Sequence, residues 1–488
     1  MPSPNAAAPR RKPSRVEPRI LRGFQDHLPA QAMHRLGLIR RLCPIAERYG
    51  FVPVDTPIVE YLDVLVGPAG EAVEKEIFRL ETPEEEQAAL RFDLTVPFAR
   101  LLSQYPAELK PPFRRYAFGP VFRADRPGPG RFRQFTQFDF DHAGSPDVAV
   151  DAEIASLLGE VMRGLDVPRY RLEMNSRKLV DALLTGLGIA EPERQKQVLR
   201  TIDKLGKVGL ANVRLELGPG RIDESGDPIR GVGLDARAIA SIEEFLAVRA
   251  DTRRATIEAV RDRIAASSVR DEALAELAEL DANLTALGEP DEFVAFNPAL
   301  ARGLDYYTGP VMEMKLPDAP QFGTVMAGGR YDGLVERFSP NAVAATGASI
   351  GVDRLLAALA HLGGRELPRT ATQVLVVVFK DVPKAEYLGI ATQLRRAGIN
   401  AEVYFGRRKD GVKEQLSHAN ALGVPVAVIA GGDELARGEV AVKDLRAGAA
   451  ARAEISSHDA YVEAGRAGQE TVARAALLAH VQRLLATP

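Results

Sequence analysis

Residues 122 to 141 read FRADRPGPGRFRQFTQFDFD, a Gly-Pro-Gly turn set among arginines and followed by alternating aromatic and polar groups. Under the period-2 geometry of an extended chain, Arg133, Phe135, Gln137, Asp139 and Asp141 share one face, with Phe132, Gln134, Thr136, Phe138 and Phe140 on the other. One face is built to pack and the other carries groups that bind. Taken alone, such a hairpin is most simply an amphipathic strand with a solvated polar side. Its chemistry therefore depends on what other segments bring to it.

Three arginines stand in separate, strand-associated contexts: Arg123 in VFRAD, Arg302 in LARGLDYYTG and Arg354 in GVDRLL. A guanidinium presents a planar, permanently charged fork that grips phosphate through two hydrogen bonds. Converging, the three would neutralise a triphosphate and the charge that develops when its α-phosphorus is attacked. Such a substitution needs positioning and electrostatics, so a site without a histidine base or a serine nucleophile still qualifies. Each arginine alone fits a structural ion pair. No GxxxxGK[ST] motif is present to bind the phosphates instead.

Acidic and hydroxyl groups recur beside these arginines: Asp93 and Thr95 in RFDLT, Gln137 and Asp141 in the hairpin, and Tyr306 and Tyr307 in DYYTG. A carboxylate with an amide and a hydroxyl holds an ammonium group, and a carboxylate with a phenol can grip both nitrogens of an imidazole. Adjacent tyrosines in a strand point to opposite faces, so one of the two enters a given pocket. The residues alone leave the ligand open. The stretches GGRYDGL at 328–334 and GASIG at 347–351 permit close approach of a ligand or another strand, and tight turns explain them equally well.

The elements that must position these groups follow from periodicity. Residues 31–49 place Leu36, Ile39, Leu42, Cys43, Ala46 and Tyr49 at helical spacing before Gly50. FVPVDTPIVE reads as an extended segment broken by Pro53 and Pro57, suited to an edge or an interface. LRFDLTVPFAR reads as a short strand running into a helix, and 148–165 as helical. Residues 175–286 have a helical composition, after which strand signals return up to GASIGVDRLLAAL. Beyond a linker at 367–372, strands and helices alternate as in a small α/β domain with mostly parallel pairing. That domain lacks GxGxxG at its first strand-to-helix turn, so a binding module is expected there rather than a dinucleotide site.

At 488 residues the chain exceeds one ordinary core, and its 46% hydrophobic and 26% charged residues are those of a soluble globular protein. The formal net charge of -3 confines any nucleic-acid contact to a local patch, for which Arg407, Arg408 and Lys413 are candidates. A single cysteine, Cys43, excludes an internal disulfide and suits a reducing compartment, and the seven histidines show no metal-ligand spacing. No apolar run is long enough for a membrane span, and the basic, Pro-rich first twenty residues read as a disordered tail.

Taken in order, these segments resemble the class II aminoacyl-tRNA synthetases and, within them, the histidyl-tRNA synthetase family. RGFQDHLP at 22–29 resembles the family's opening, helix 31–49 with VPVDTP its motif 1, the hairpin its motif 2, and GASIGVDRLL its motif 3. ARGLDYYTG and AGGRYDGL resemble the two histidine-specific boxes, and GGDELARGEVAVKDL is similar to the anticodon-binding module. The resemblance covers residues 20 to 445 and implies an α+β fold: an antiparallel catalytic sheet of six or seven strands with flanking helices, a helical insertion, and a C-terminal α/β anticodon-binding domain. The divisions expected are a tail at 1–19, catalytic segments at 20–170 and 291–366, an insertion at 171–290 and the last domain at 372–488. The middle region, with MNSRKLVDALL and TIDKLGKVGL, is closer to eukaryotic-type members. Gly128 follows Pro127 where many bacterial members carry a glutamine, a departure in the loop that approaches the tRNA acceptor end.

The resemblance also implies roles. ATP would meet Arg123, Asp125, Arg131, Phe135 and Arg354, with Arg123 on the α-phosphate, Phe135 under adenine and Arg354 on the γ-phosphate. Histidine would meet Asp93, Leu94, Thr95, Arg123, Gln137, Asp141, Arg302, Tyr306 and Tyr307. Of these, Asp93, Thr95 and Gln137 would take the ammonium, and Asp141 and Tyr307 the imidazole. Arg302 and Arg123 would be catalytic. Expected partners are L-histidine, ATP with Mg2+, tRNA(His) and a second copy of the chain in a cytoplasmic homodimer, with no structural metal and no membrane. Because buried polar partners reject the wrong amino acid strongly, no editing step is expected. Two rivals share the fold: the non-catalytic regulatory subunit of ATP phosphoribosyltransferase, disfavoured by the intact arginines and the C-terminal domain, and the prolyl, threonyl or glycyl enzymes, disfavoured by DYYTG.

Overall fold

The computed structural model describes residues 16–67, 76–128, 130–223, 226–300, 307–340, 342–363, 369–407, 410–447 and 468–486. The chain divides into two units, one holding 35–364 with the residues up to 26, the other holding 365–488 with 27–34.

The helix Pro29–Arg48, which belongs to the first unit from Arg35 onward, buries Leu38, Leu42, Ile45 and Ala46, with Cys43 half-buried beside them. Leu36, expected on that face, is 48% exposed because the buried stripe runs from Leu38 in steps of four and three. Gly50, at φ 78°, turns the chain out of the helix in a conformation that side chains resist. Strand β1 (Val52–Pro53) follows, then β2 (Val59–Tyr61), β3 (Arg79–Glu81) and β4 (Gln87–Leu90), which form a small antiparallel sheet. Strands β5 (Phe113–Phe122) and β6 (Gln134–Ala143) pair antiparallel over their full length, Phe113 opposite Ala143 and Phe122 opposite Gln134. Next come β7 (Arg171–Ser176), a small ribbon of β8 (Gly220–Ile222) and β9 (Pro228–Arg230), and β10 (Val294–Phe296). Strands β11 (Pro310–Lys315), β12 (Thr324–Arg330) and β13 (Ala345–Gly351) complete the set.

The main sheet has the order β1-β5-β6-β13-β12-β11-β7-β10. Its centre is antiparallel, as the resemblance implies, but it has eight strands and both edge pairs, β1 with β5 and β10 with β7, are parallel. The edge strands span two and three residues, too few for a period to show in the sequence. Strand β7, placed by sequence within the insertion that begins at 171, pairs inside this sheet. Helices from Arg177–Gly186 to Ser268–Ala286 fill the region between β7 and β10. The guanidinium of buried Arg253 fastens them to the sheet, donating to Asp281 at 2.6 Å and to the carbonyls of Glu289 at 3.1 Å and Val294 at 3.0 Å.

The second unit holds β14 (Val374–Val377), β15 (Ala401–Val403), β16 (Val426–Ile429), β17 (Glu439–Asp444) and β18 (Gln469–Ala473), in the order β15-β14-β16-β17-β18. Its first two pairings are parallel and its last two antiparallel, which corrects the expectation of mostly parallel pairing. The link from Ile429 to Glu439 holds one short helix, Gly432–Ala436, too little chain for a parallel crossover of a dozen or more residues. Among the described residues no helix is long and apolar enough to cross a membrane.

Candidate active site

The alternation along β6 divides as its residue types predict. Phe138 and Phe140 enter the main core, where Phe138 stacks on Tyr116 with ring centroids 5.5 Å apart. Phe135, Gln137 and Asp141, on the opposite face, line a cavity of about 270 Å³. That face is not solvated: Gln137, Asp139 and Asp141 are 8%, 1% and 2% exposed.

The other walls come from segments far apart in sequence. The turn before helix Thr95–Gln104 gives Asp93 and the first residue of that helix is Thr95, while the hairpin loop gives Arg123, Asp125, Arg131 and Phe132. Strands β12 and β13 supply a floor with Gly328, Gly347 and Ser349, and helix Val352–His361 projects Arg354. Glu76, Tyr307 and Tyr331 complete it. Ten expected residues thus share one cavity: Asp93, Thr95, Arg123, Asp125, Arg131, Phe135, Gln137, Asp141, Tyr307 and Arg354. Leu94 does not line it; its side chain packs with Ala117, Val121 and Phe135 beneath. Arg302 and Tyr306 lie outside the described residues, as does Arg408 of the C-terminal basic patch.

The cations are held by backbone carbonyls and, for Arg131, by a carboxylate. Arg123 donates from Nε to the Phe92 carbonyl at 3.0 Å and stands 5.4 Å from the Phe135 ring centroid. Arg131 donates from Nε to Asp125 at 3.1 Å, and Arg354 from Nη1 to the Thr324 carbonyl at 2.8 Å. At the other end of the strand row Asp141 is fixed twice, by Arg115 at 2.6 Å and by a hydrogen bond from the Tyr331 hydroxyl. Phe135 and Asp141 are six residues apart on one strand, so a ligand touching both spans roughly 20 Å.

Arg115 and Tyr331 were not singled out from the sequence. Arg115, 1% exposed, also donates to the Leu94 carbonyl at 2.9 Å and lies 4.6 Å over the Phe98 ring. Burial pushes the Asp141 carboxyl upward in pKa, with Arg115 drawing it back. Asp93 is likewise raised by burial, against a hydrogen bond from the Val96 amide at 3.0 Å and the charge of Arg123. The glycines of the floor serve close approach between strands. A Cβ on Gly347 would lie 2.2 Å from Asp141 Oδ1, and one on Gly328 would lie 2.2 Å from the Gly347 carbonyl oxygen. Among the described residues the buried Oε1 of Gln137 has no hydrogen-bond partner, which marks a place for a ligand donor. The cavity therefore offers cations and an aromatic face at the loop end and acceptor groups deeper along β6. Among the described residues no cluster of three or more histidine, cysteine, aspartate or glutamate side chains could hold a metal ion.

Comparison with known proteins gives this arrangement a context. A family model described as histidyl-tRNA synthetase matches residues 23–355, and one described as anticodon binding domain matches 373–464. A histidine–tRNA ligase of Paracoccus denitrificans is 41% identical over 500 residues, covering 98% of this chain and 100% of that protein. One from Caulobacter vibrioides is 40% identical over 484 residues, covering 96% and 97%. Among solved structures, the histidyl-tRNA synthetase of Nostoc sp. PCC 7120 has a TM-score of 0.78 at 29% identity, covering 96% of this chain and 100% of that one. The fold is also that of a Bacillus halodurans structure described as an ATP phosphoribosyltransferase regulatory subunit/histidyl-tRNA synthetase, with a TM-score of 0.67 and 21% identity, covering 84% and 98%.

Proposed function

The chain belongs to the histidyl-tRNA synthetase family, and we propose that its cavity activates L-histidine with ATP and passes it to the terminal adenosine of tRNA(His). The activity is that of a histidine–tRNA ligase, an aminoacyl-tRNA synthetase with a C-terminal anticodon-binding domain. The observation that carries the site reading is the convergence of ten residues, spread from Asp93 to Arg354, on one cavity.

ATP enters as its Mg2+ complex, the metal being part of the substrate. Adenine stacks on Phe135 and the phosphates meet Arg123 and Arg354, while Asp125 keeps Arg131 oriented at the mouth. Arg123, held by the Phe92 carbonyl, meets the α-phosphate and is set to bind the charge that grows there during attack. The histidine carboxylate attacks the α-phosphorus, the bond to the β-phosphate oxygen breaks, and pyrophosphate leaves. Arg302, from the resemblance, assists at the same phosphate. The ammonium is taken by Asp93, Thr95 and the free Oε1 of Gln137, and the imidazole by Asp141 and Tyr307, with Tyr306 beside them from the resemblance. Asp141 can accept an imidazole N–H in one orientation because Arg115 and Tyr331 fix it. The adenylate then gives its acyl group to a ribose hydroxyl of the tRNA end, and AMP leaves.

The enzyme works as a homodimer joined along the extended segment at 52–61, where Val52, Ile58, Val59 and Tyr61 are exposed. Its single cysteine suits the reducing cytoplasm, where we place it. Charging of tRNA transcripts with radiolabelled amino acids tests the reading. Histidine should load tRNA(His) and no other transcript; equal loading of other amino acids, or none of histidine, would reject it.

A further inference from the structure

Asp141 stands in register opposite Arg115 on β5 and Gly347 on β13, so its carboxylate has a guanidinium on one side and a glycine on the other. The ion pair is 2.6 Å long, and its two side chains are 1% and 3% exposed. Asp141 lines the cavity and Arg115 does not, so the guanidinium lies behind the carboxylate. The same guanidinium donates to the Leu94 carbonyl at 2.9 Å, and Leu94 stands between Asp93 and Thr95, the groups given above to the ammonium. Arg115 therefore braces both ends of the amino-acid pocket from outside it, backed by the Phe98 ring 4.6 Å away.

That pairing decides which form of the imidazole the pocket takes. A buried carboxylate without a counter-ion draws a cation to itself, whereas one already paired with a guanidinium gains little from a second. Both oxygens of Asp141 are engaged, Oδ2 by Arg115 and Oδ1 by the Tyr331 hydroxyl. The neighbouring carboxyls leave no surplus of negative charge: Arg115, Arg123 and Arg337 act on Asp93, and Arg115 and Arg91 act on Asp139. Three carboxyls thus face four guanidiniums, and Tyr307 and Tyr331 add only phenols to the cavity wall. An imidazolium would bring a charge that no group there lacks. We propose that Arg115 is a specificity-determining positioning residue: by neutralising Asp141 and holding it as a hydrogen-bond acceptor, it makes the pocket select histidine with an uncharged imidazole. Asp141 then accepts the one ring N–H and Tyr307 meets the other nitrogen, while a permanent cation such as a lysine side chain is refused. The inference rests on the reading of this cavity as the histidine site.

The test compares KM in ATP–pyrophosphate exchange for histidine and for its analogue with a triazole ring, which stays uncharged. Titration of the protein's own groups is common to both substrates, so the ratio of the two KM values isolates the ring of histidine. For the full-length parent the ratio, histidine over analogue, should rise about tenfold from about pH 7.5 to about pH 5.5, as an imidazole pKa of about 6.5 requires. Arg115→Met should raise both KM values and flatten that rise, and Arg115→Lys, which keeps the charge, should retain it. A merely structural role would raise both KM values and leave the slope of the ratio as in the parent, so an unchanged slope in Arg115→Met would overturn the proposal. Should Arg115→Met not fold, loss of the slope in Arg115→Lys would overturn it and retention would support it. Independently, ring-labelled nitrogen-15 histidine bound to the parent at about pH 6 should show one protonated and one unprotonated ring nitrogen by magic-angle-spinning NMR; two protonated nitrogens would refute the selection. If the parent shows no exchange with histidine, the reading of the site fails; if exchange is normal and the ratio is constant with pH, the role of Arg115 alone fails.

Discussion

At the scale of the residue, the acceptor groups along β6 have their positions fixed from outside the strand. Asp141 is held by Arg115 from β5 and by Tyr331 beyond β12, and Gly347 opposite leaves it room. Gly347→Ala places a methyl group in the space of the carboxylate and the Phe140 carbonyl, so we expect a loss of about 1–3 kcal/mol in stability and a raised KM for histidine, read by thermal unfolding and pyrophosphate exchange. Asp139 makes the empty protein sensitive to pH. Its folded pKa of about 7 lies above the ordinary 3.8, so its contribution to stability is full below that ordinary value and is lost as pH rises through about 7. Asp139→Asn, which does not titrate, should therefore gain in melting temperature relative to the parent across that window and level off above it; a constant difference would refute the shift. The period-2 row was legible in the sequence because alternation needs only neighbours. Arg115 and Tyr331 were not, since their importance lies in partners 26 and 190 residues away that register alone brings near. Leu94 stands between two site residues, yet a turn directs it into the packing below.

At the scale of the element, the helix that carries Arg354 is tied to the hairpin by its neighbour. Asp353 accepts the Thr136 amide of β6 at 2.6 Å and pairs with Arg35 of the first helix at 3.1 Å. Removing that carboxyl loosens the helix start, so Asp353→Ala should raise KM for ATP about tenfold or more and KM for histidine much less; equal effects on both would show that the helix does not act through Arg354. Elements with a full period, such as β5, β6 and the first helix, were readable. The two- and three-residue edge strands were not, and the antiparallel return of β17 in the second unit follows from a link too short to cross over.

At the scale of the whole molecule, the two functions of the chain are separable by measurement. Arg407, in the segment before helix Val412–Leu422, and Lys413, in its first turn, are exposed, and reversing both charges should raise KM for tRNA about tenfold while leaving exchange unchanged. Light scattering at micromolar concentration should give a dimer, and glutamate at Val52 and Val59 together should give monomers; a monomeric parent would refute the assembly. The most direct measurement of the central claim is ATP–pyrophosphate exchange across a panel of amino acids, with Arg123→Ala alongside. Exchange with histidine alone, lost in the variant, is the predicted result. A folded protein that binds histidine and exchanges with no amino acid would contradict it and place the chain with the non-catalytic relatives of the fold.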